Sequence, residues 1–350
     1  MVVSIASISV LVAVSARSKH SLLISPEKAS KKAPVTLRPG AFFIFRTNGI
    51  PRAHGYPKHF AGQTPRRAVI ACLLLLLNCS LAAAEFNCAA PVAPTPATLA
   101  YVHDGDTLWL KNGDKVRLIG INTPEVARDE RPAEAVANAA RQAVVAFFAG
   151  QQQLLLVPGG EARDRYGRRL AHVYRPDGQS LEAYLLARGL GFHIAIPPNL
   201  ALAECLHRAE QFARSRGLGV WSSPRWQPLA AEDLTDGDAG FRLVRGRIRS
   251  VTQNKYIWVK MEGPMVLRIA PQHAGNFKLT NGALADWQVG DGRGRLKDWR
   301  GLVGREVEVR GWLIDRHSRQ ALMAKGFARW RMDVHSHYAI LFTPTAKTTK

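Results

Sequence analysis

Alternating apolar and polar residues in the middle of the chain predict a series of short β-strands. An Asn112-Gly113 dipeptide joins two of them and is typical of a tight hairpin turn. The expected strands are Leu99 to His103, Thr107 to Lys111, Lys115 to Ile119, Leu154 to Val157 and Leu170 to Tyr174.

Apolar residues at helical spacing predict three helices between and after these strands. Pro132 starts the first, Ser180 caps the second and Asn199 caps the third, and each helix is expected to stop at a glycine. Five short strands and three helices favour an α+β fold in which helices cover a small barrel. This domain is predicted to span residues 99–225.

The last third of the chain predicts a second, smaller, β-rich domain. Residues 226–240 are polar and acidic and are predicted to be a linker. Beyond them, Arg245, Arg247 and Arg249 alternate with apolar residues, which places three guanidinium groups on one face of a strand. The domain is predicted to cover 241–340 and could also be barrel-like. Its other expected parts are strands at 256–260, 265–269 and 306–314, a Gly/Arg-rich insert at 291–295 and a disordered tail at 341–350.

A basic and then apolar segment precedes the middle domain. Arg66-Arg67, an apolar run and small residues ending at Ala84 predict a signal peptide over 66–84. The apolar run is shorter than the roughly 20 residues of a membrane span, so a transmembrane or core helix is the weaker alternative. Residues 1–65 are either an unstructured extension or lie upstream of the true start, and 85–98 are expected to be a Pro/Ala linker. We expect an exported protein, periplasmic or extracellular.

Two of the four cysteines, Cys88 and Cys205, stay in the chain after removal of this signal peptide. In an oxidising compartment they can pair and tie down the new N-terminus. Two free thiols are the alternative. The absence of a C-x-x-C pair or a His/Cys cluster in the sequence argues against a structural zinc site.

The formal net charge is +21, and it is unevenly distributed. Residues 1–84 carry 11 basic and 1 acidic residue, 85–224 carry 15 and 14, and 225–350 carry 22 and 12. Such a charge indicates a polyanionic partner, either nucleic acid or an anionic membrane surface. Because the middle domain is nearly neutral, its function has to be inferred from its motifs.

Three clusters of charged residues follow strand ends in the middle domain: Asp104 to Thr107, Arg117 to Glu125 and Asp164 to Arg168. Each taken alone is more typical of a turn, a loop or a solvated charge run. Together they supply the parts for metal-assisted phosphodiester hydrolysis.

The physical roles follow from ligand chemistry. Asp106, Asn122 and the carbonyl of Thr123 could share a hard cation such as calcium. Arg117 and Arg168 match phosphate geometry. A carboxylate is also needed to orient or deprotonate a water, and Glu125, in a rigid turn after Pro124, is the candidate.

The same clusters, in this order, resemble the thermonuclease family, the staphylococcal-nuclease-like domains. The resemblance runs from Tyr101 to Ser222. It includes the patterns D-G-D-T, R-L-x-G-I-x-T-P-E, D-x-Y-G-R-x-L-A and G-L-x-x-W-S.

This resemblance implies a five-stranded OB-type barrel with three helices. It also implies calcium-dependent cleavage of DNA and RNA by water attack on phosphorus, with 3′-phosphate products. By motif position, the residues similar to the metal ligands are Asp106, Asn122 and Thr123, with Asp104 behind them. The residues similar to the catalytic ones are Arg117, Glu125 and Arg168. Tyr166 with Arg165 is similar to the substrate contacts, and a packed loop aromatic is the alternative for Tyr166.

Two departures from the family pattern affect the metal and the base. Asn122 stands where the pattern has a second aspartate, so we expect weaker calcium binding with activity retained. The pattern also has two tyrosines that flank the bound base, and this chain has Phe192 to Asn199 there. His193 in this stretch could be a substitute platform, although a loop histidine is more often incidental.

Two other functions remain open at this point. A nucleic-acid-binding OB module with vestigial chemistry would bind in a salt-sensitive way without cleavage, and an envelope-binding structural protein rests on charge alone. For the last domain we expect Arg245, Arg247 and Arg249 to hold substrate phosphates, with a solvated strand face as the alternative. Deletion of 226–350 should then raise KM. We expect a monomer.

Overall fold

The computed structural model of the chain describes residues 86, 88–277, 299–318 and 327–342. Five strands of the middle domain form a closed barrel in the order β1-β2-β3-β6-β5, which confirms the predicted OB-type barrel. A short pair, β4 with β7, lies beside it. The bounds are β1 Thr95–Val102, β2 Thr107–Leu110, β3 Lys115–Leu118, β4 Ile121–Asn122, β5 Gln153–Arg163, β6 Arg169–Tyr174 and β7 Phe192–His193.

Three α-helices are present among the described residues: α1 Ala137–Phe148, α2 Leu181–Leu186 and α3 Ala203–Ser215. Two begin later than predicted. Helix α1 does not start at Pro132, because Glu134 is engaged with the loop before it: its Oε2 accepts from Glu125 N at 2.9 Å, and its N–H donates to Glu125 O. Asn199 does not cap α3, because its side-chain oxygen accepts from Glu161 N at 3.0 Å.

The apolar faces of barrel and helices share one core. The side chains of Leu108, Val116, Leu156 and Leu206 are inaccessible to solvent in it. Cys88 is 2% exposed at the edge of this core and is joined to Cys205 of α3 by a disulfide. The segment that precedes β1 is therefore attached to the barrel through α3.

The C-terminal domain is a second barrel. Strand β12 pairs with both β9 and β13, so that β9, β10, β11, β13 and β12 close on themselves. Its core holds Val244, Val259, Leu267, Val309 and Trp330. The bounds are β8 Leu229–Ala230, β9 Gly240–Gln253, β10 Ile257–Met261, β11 Met265–Ile269, β12 Glu306–Asp315, β13 Trp330–Asp333 and β14 Ile340–Phe342.

Both predicted linkers differ from the structure. Within 226–240, Trp226 is 3% exposed, β8 adds to the second sheet, and Leu234 packs into the second core. The apolar side chains of this acidic stretch are what anchor it. The Pro/Ala linker ends earlier than expected, because residues 95–98 pair with β5.

Several predictions lie wholly or partly outside the described residues. They concern the extension 1–65, the signal peptide 66–84, the insert 291–295 and residues 343–350 of the tail. The first two tail residues belong to β14. Among the described residues, no helix is both long enough and apolar enough to cross a membrane.

An aromatic cluster connects the two barrels. It contains Phe192, Val220 and Trp226 from the middle domain side and Phe241 and Leu243 from β9. The ring of Phe192 lies 5.2 Å from that of Trp226 and 5.1 Å from that of Phe241. We call this group the shared cluster, since neither barrel buries it alone.

Candidate active site

The three charged clusters converge on one cleft of about 1020 Å³. The hairpin after β1 brings the first, the β3–β4 segment brings the second, and the β5–β6 loop brings the third. The predicted site residues in its lining are Asp104, Asp106, Arg117, Asn122, Glu125, Arg165, Tyr166 and Arg168.

Asp106 joins the first cluster to the second. Its Oδ2 accepts from Thr123 N at 2.8 Å and from Thr123 Oγ1 at 3.2 Å. Gly105 permits this approach, because a Cβ there would lie 2.8 Å from the Thr123 side chain. Asp106 and Thr123 are buried, at 6% and 2% exposure, so their arrangement is fixed by packing.

Arg117 is the most constrained cation of the site. Its Nη1 donates to the carbonyls of Leu118 and Ile121, both at 2.7 Å. Its Nη2 lies 3.2 Å from Asp106 Oδ2 and 3.2 Å from Asn122 Oδ1. The guanidinium group is therefore held in one orientation before any substrate arrives.

Asp104 lies behind Asp106. Its Oδ1 accepts from Asp106 N at 2.9 Å, which orients the Asp106 backbone. Burial and the neighbouring Asp106 carboxylate raise the pKa of Asp104 to about 7. Ionisation of Asp104 beside the Asp106 carboxylate is therefore unfavourable.

Glu125, from the second cluster, also lines the cleft. The residue is exposed at the surface, while partial desolvation of its carboxyl group and the nearby Asp106 raise its pKa. The Glu125 N–H donates to the Glu134 carboxylate, and the Glu134 N–H donates to the Glu125 carbonyl oxygen. These two hydrogen bonds fix the Glu125 backbone. A carboxylate with a raised pKa is a stronger base than an ordinary one.

The third cluster is organised by Asp164. Its Oδ2 accepts from Arg168 Nε at 2.7 Å, and its Oδ1 accepts from the backbone N–H groups of Tyr166 and Arg168 at 2.9 Å. Arg165 donates to the Tyr166 hydroxyl at 2.6 Å. Arg168 is half-buried, whereas Tyr166 is 68% exposed and carries the Arg165 guanidinium over its ring.

The donor set fits a hard cation. Asp106, the side chain of Asn122 and the backbone of Thr123 offer carboxylate, amide and carbonyl oxygens, which calcium prefers. Two buried carboxylates side by side, one with a raised pKa, are the arrangement that a cation stabilises. The Asn122 oxygen accepts from Arg117 in this structure, so it is the weakest member of the set.

The stretch from Phe192 to Asn199 contributes aliphatic side chains to the cleft. Ile194, Ile196 and Asn199 line it. His193 is 1% exposed and its ring packs against those of His207 and Tyr338, so it cannot serve as the platform considered above.

The arginines Arg245, Arg247 and Arg249 of β9 lie elsewhere. The described lining of the cleft includes none of them. Arg247 donates to Glu306 at 2.9 Å and lies 3.9 Å from Glu262. The phosphate role of this strand face therefore stays a prediction, and it would have to act outside this cleft.

Sequence reasoning missed Trp312, which comes from β12 of the second barrel and lines the same cleft. It also missed Trp109, Lys115 and Arg128 in the lining. The alternation of apolar and polar residues along β12 indicates that Trp312 lies on the face away from the core of the second barrel. It does not indicate which surface of the middle domain that face contacts.

A buried group at the domain junction also offers metal-capable atoms. One ligand atom each from His193, His207 and Glu210 lie within 4.8 Å of one another. Arg310 of β12 is ion-paired with the Glu210 carboxylate, so a cation is already present. Burial lowers the pKa of His193 well below its usual range. We therefore assign this group to domain packing.

The barrel and the cleft define an OB-type domain with carboxylates and arginines arranged for phosphodiester chemistry. The family model described as "Staphylococcal nuclease homologue" matches residues 115–223. The "Thermonuclease" of Staphylococcus intermedius is 32% identical over 123 residues, 34% of this chain and 72% of that protein. The chain belongs to this family.

Two Bacillus subtilis (strain 168) relatives agree. "SPbeta prophage-derived endonuclease YokF" is 33% identical over 129 residues, 36% of this chain and 43% of that protein. "Endonuclease YncB" is 33% identical over 129 residues, 36% of this chain and 61% of that protein. The chain thus matches less than two thirds of either Bacillus protein. These relatives support a nuclease, and the residues matched by the family model lie in the middle domain.

Proposed function

We propose that this protein is an exported, calcium-dependent nuclease that hydrolyses phosphodiester bonds of DNA and RNA with low sequence specificity. The observation that carries the proposal is the placement of Asp106, Arg117, Glu125 and Arg168 around one cleft. Relatives named as thermonuclease and endonucleases support the same class of reaction.

In the proposed reaction, Glu125 accepts a proton from a water molecule as the water oxygen bonds to phosphorus. The bond between phosphorus and the 5′-oxygen breaks, which leaves a 3′-phosphate and, after protonation, a 5′-hydroxyl. Arg117 and Arg168 donate to the phosphate oxygens while negative charge develops on them. The four fixed contacts of Arg117 reduce the reorganisation that this requires.

Asp106, Asn122 Oδ1 and the carbonyl oxygen of Thr123 would hold the calcium ion, which when bound would neutralise and polarise the phosphate. Asp104 would not bind the ion directly; it orients the Asp106 backbone through the hydrogen bond that it accepts from Asp106 N.

Export is proposed on two grounds. The predicted signal peptide at 66–84 is one, and the Cys88–Cys205 disulfide is the other, since disulfides persist in oxidising compartments. N-terminal sequencing of the exported protein should give a mature end after Ala84. A mature end upstream of Arg66 would contradict the proposal.

The decisive assay incubates the purified exported chain with plasmid DNA and with RNA, in calcium or in a chelator. Cleavage is expected with calcium only, and the ends should carry 3′-phosphates. Arg117→Ala and Glu125→Gln should each slow cleavage by about 10²- to 10⁴-fold.

Two control variants come from neighbouring positions outside the cleft lining. Arg131→Ala removes an exposed arginine six residues after Glu125, and Glu130→Gln removes an exposed acid five residues after Glu125. Both should cleave at the normal rate. Unchanged rates in Arg117→Ala and Glu125→Gln, with circular dichroism as a check on folding, would overturn the assignment.

A catalytically weak nucleic-acid-binding module is the second candidate. It is favoured by Asn122, which supplies no charge and whose oxygen is engaged with Arg117. This candidate predicts salt-sensitive binding without cleavage in saturating calcium, so the same assay separates the two.

A further inference from the structure

Trp312 is an exposed aromatic residue from the C-terminal barrel that lines the cleft of the other domain. It is 43% exposed and lies with Ile194 and Ile196 in the lining. It is outside the residues that match the family. The cleft therefore combines an exposed tryptophan ring with several arginine side chains.

The alternation of β12 explains why Trp312 points there. Successive side chains of a strand face opposite sides, so Glu308, Arg310 and Trp312 share one face. Glu308 makes a bidentate ion pair with Arg214 of α3, at 2.8 and 2.6 Å, and Arg310 is ion-paired with Glu210 of the same helix. The next residue on this face, Trp312, then reaches past α3 to the cleft.

The ring of Trp312 is supported from one side. It meets the ring of Phe241 edge to face, with centroids 5.3 Å apart, and Phe241 belongs to the shared cluster. A rigid, partly exposed ring of this kind loses little conformational freedom when a flat ligand stacks on it.

The other aromatic residues of the cleft are differently placed. Lys115 Nζ lies 4.5 Å from the centre of the Trp109 ring, and the Arg165 and Arg168 guanidinium groups lie over Tyr166. Within the described part of the chain, no cation is found over Trp312. Its ring is therefore the one best suited to an uncharged flat group.

We propose that Trp312 forms a nucleobase subsite, in which an unstacked base of single-stranded DNA or RNA stacks on its ring beside Ile194 and Ile196. The inference rests on the proposed nuclease function and deepens it. The cations Arg117, Arg168 and Lys115 would take the phosphates, and the aromatic and aliphatic wall takes the base. A duplex hides its base faces, so the subsite selects unpaired segments.

The test measures binding of two fluorescent 8-mer probes to the full exported chain in a chelator, where turnover is suppressed. One probe is oligothymidylate, and the other has the same backbone with abasic sites. Wild type should prefer the probe with bases by about 5- to 150-fold, the range that stacking of one base on an aromatic ring gives. Trp312→Ala should erase this preference, and Trp312→Phe should keep most of it.

Ile314→Ala is the matched control, because Ile314 is an exposed apolar residue on the same strand face but outside the described cleft lining. It should keep the preference. If wild type binds both probes equally but still cleaves DNA or RNA in calcium, the subsite is wrong and the nuclease stands. If wild type neither binds nor cleaves, both proposals fail.

Discussion

At the scale of single residues, Asp106 organises the candidate site. Its two carboxylate oxygens accept from Thr107 and Thr123, and Arg117 lies 3.2 Å away. These contacts link sequence positions up to 17 residues apart. Arg117 and Thr123 are thus both positioned by one buried side chain, and replacement of Asp106 would disturb both of them.

The Asn122 side chain offers a direct test of the metal assignment. An Asn122→Asp substitution adds a carboxylate beside Asp106, and additional ligand charge strengthens calcium binding. We expect the calcium dissociation constant to fall by about 10-fold, which corresponds to about 1.4 kcal/mol. Titration calorimetry with calcium measures this directly, whatever happens to turnover.

The control for this substitution is Asn254→Asp, which changes an asparagine in the turn between β9 and β10. It should leave calcium binding unchanged. Equal calcium affinity in wild type and Asn122→Asp would mean that Asn122 does not face the ion.

The contiguous motifs made Asp106, Arg117 and Glu125 predictable, because residues close in sequence around a hairpin stay close in space. Trp312 was not predictable in this way. It lies in another barrel, and its place in the cleft depends on how β12 docks on α3. No local pattern contains that docking geometry.

At the scale of elements, the contact between β12 and α3 carries two ion pairs. Arg310 and Glu210 have side chains 3% and 0% exposed, and Glu210 Oε1 also accepts from His193 N at 2.7 Å. A buried carboxylate that loses its cation keeps its desolvation penalty without compensation. This pair therefore controls how firmly the two elements stay together.

Substitution of this pair should show strong coupling. Arg310→Met alone should lower the free energy of unfolding by about 3 to 5 kcal/mol, because Glu210 is left buried and charged. The double variant Arg310→Met with Glu210→Gln should lose much less than the sum of the single losses. Urea unfolding of wild type, Arg310→Met, Glu210→Gln and the double variant measures the coupling energy.

The exposed Arg245 provides the comparison for that cycle, since it lies opposite Glu308 on the neighbouring strand. Arg245→Met should change the free energy of unfolding by about 0.5 kcal/mol or less. Strictly additive losses at Arg310 and Glu210 would show that the ion pair does not couple the elements.

Element starts were the least predictable part of the fold. Pro132 and Asn199 carry ordinary helix-start signals, yet both helices begin later. In each case a side chain near the predicted start accepts a hydrogen bond from a residue distant in sequence. The Glu134 carboxylate accepts from Glu125 N, and the Asn199 side-chain oxygen accepts from Glu161 N. The strands were predicted more closely, because their apolar alternation already reflects the barrel core.

At the scale of the whole molecule, the two barrels share apolar residues as well as ion pairs. Phe192 is completely buried, and its ring packs against those of Trp221, Trp226 and Phe241. Ser336 Oγ donates to Ala195 O at 2.9 Å across the junction. The sequence predicted two domains with a polar linker. The acidic residues of 226–240 favoured the linker prediction, although Trp226 and Leu234 in this stretch are buried.

This junction changes the expected result of a truncation. A chain that ends at residue 225 lacks Trp226, Phe241 and Leu243, so it exposes Phe192 and leaves the Glu210 carboxylate without Arg310. Each large apolar side chain returned to water loses about 1.5 to 3 kcal/mol. We therefore expect the truncated chain to unfold at a lower temperature or to aggregate, and to lose activity through unfolding.

Differential scanning calorimetry of two chains that both begin at residue 85 and end at 225 or at 350, with cleavage assays on both, tests this expectation. Arg245→Met, at an exposed position of the second barrel, is the control and should leave the transition in place. A chain ending at 225 that unfolds at the full-length temperature, with only KM raised, would restore the view of a separable substrate-binding domain. A lowered transition together with lost activity would instead mean that the second barrel is part of the folded nuclease.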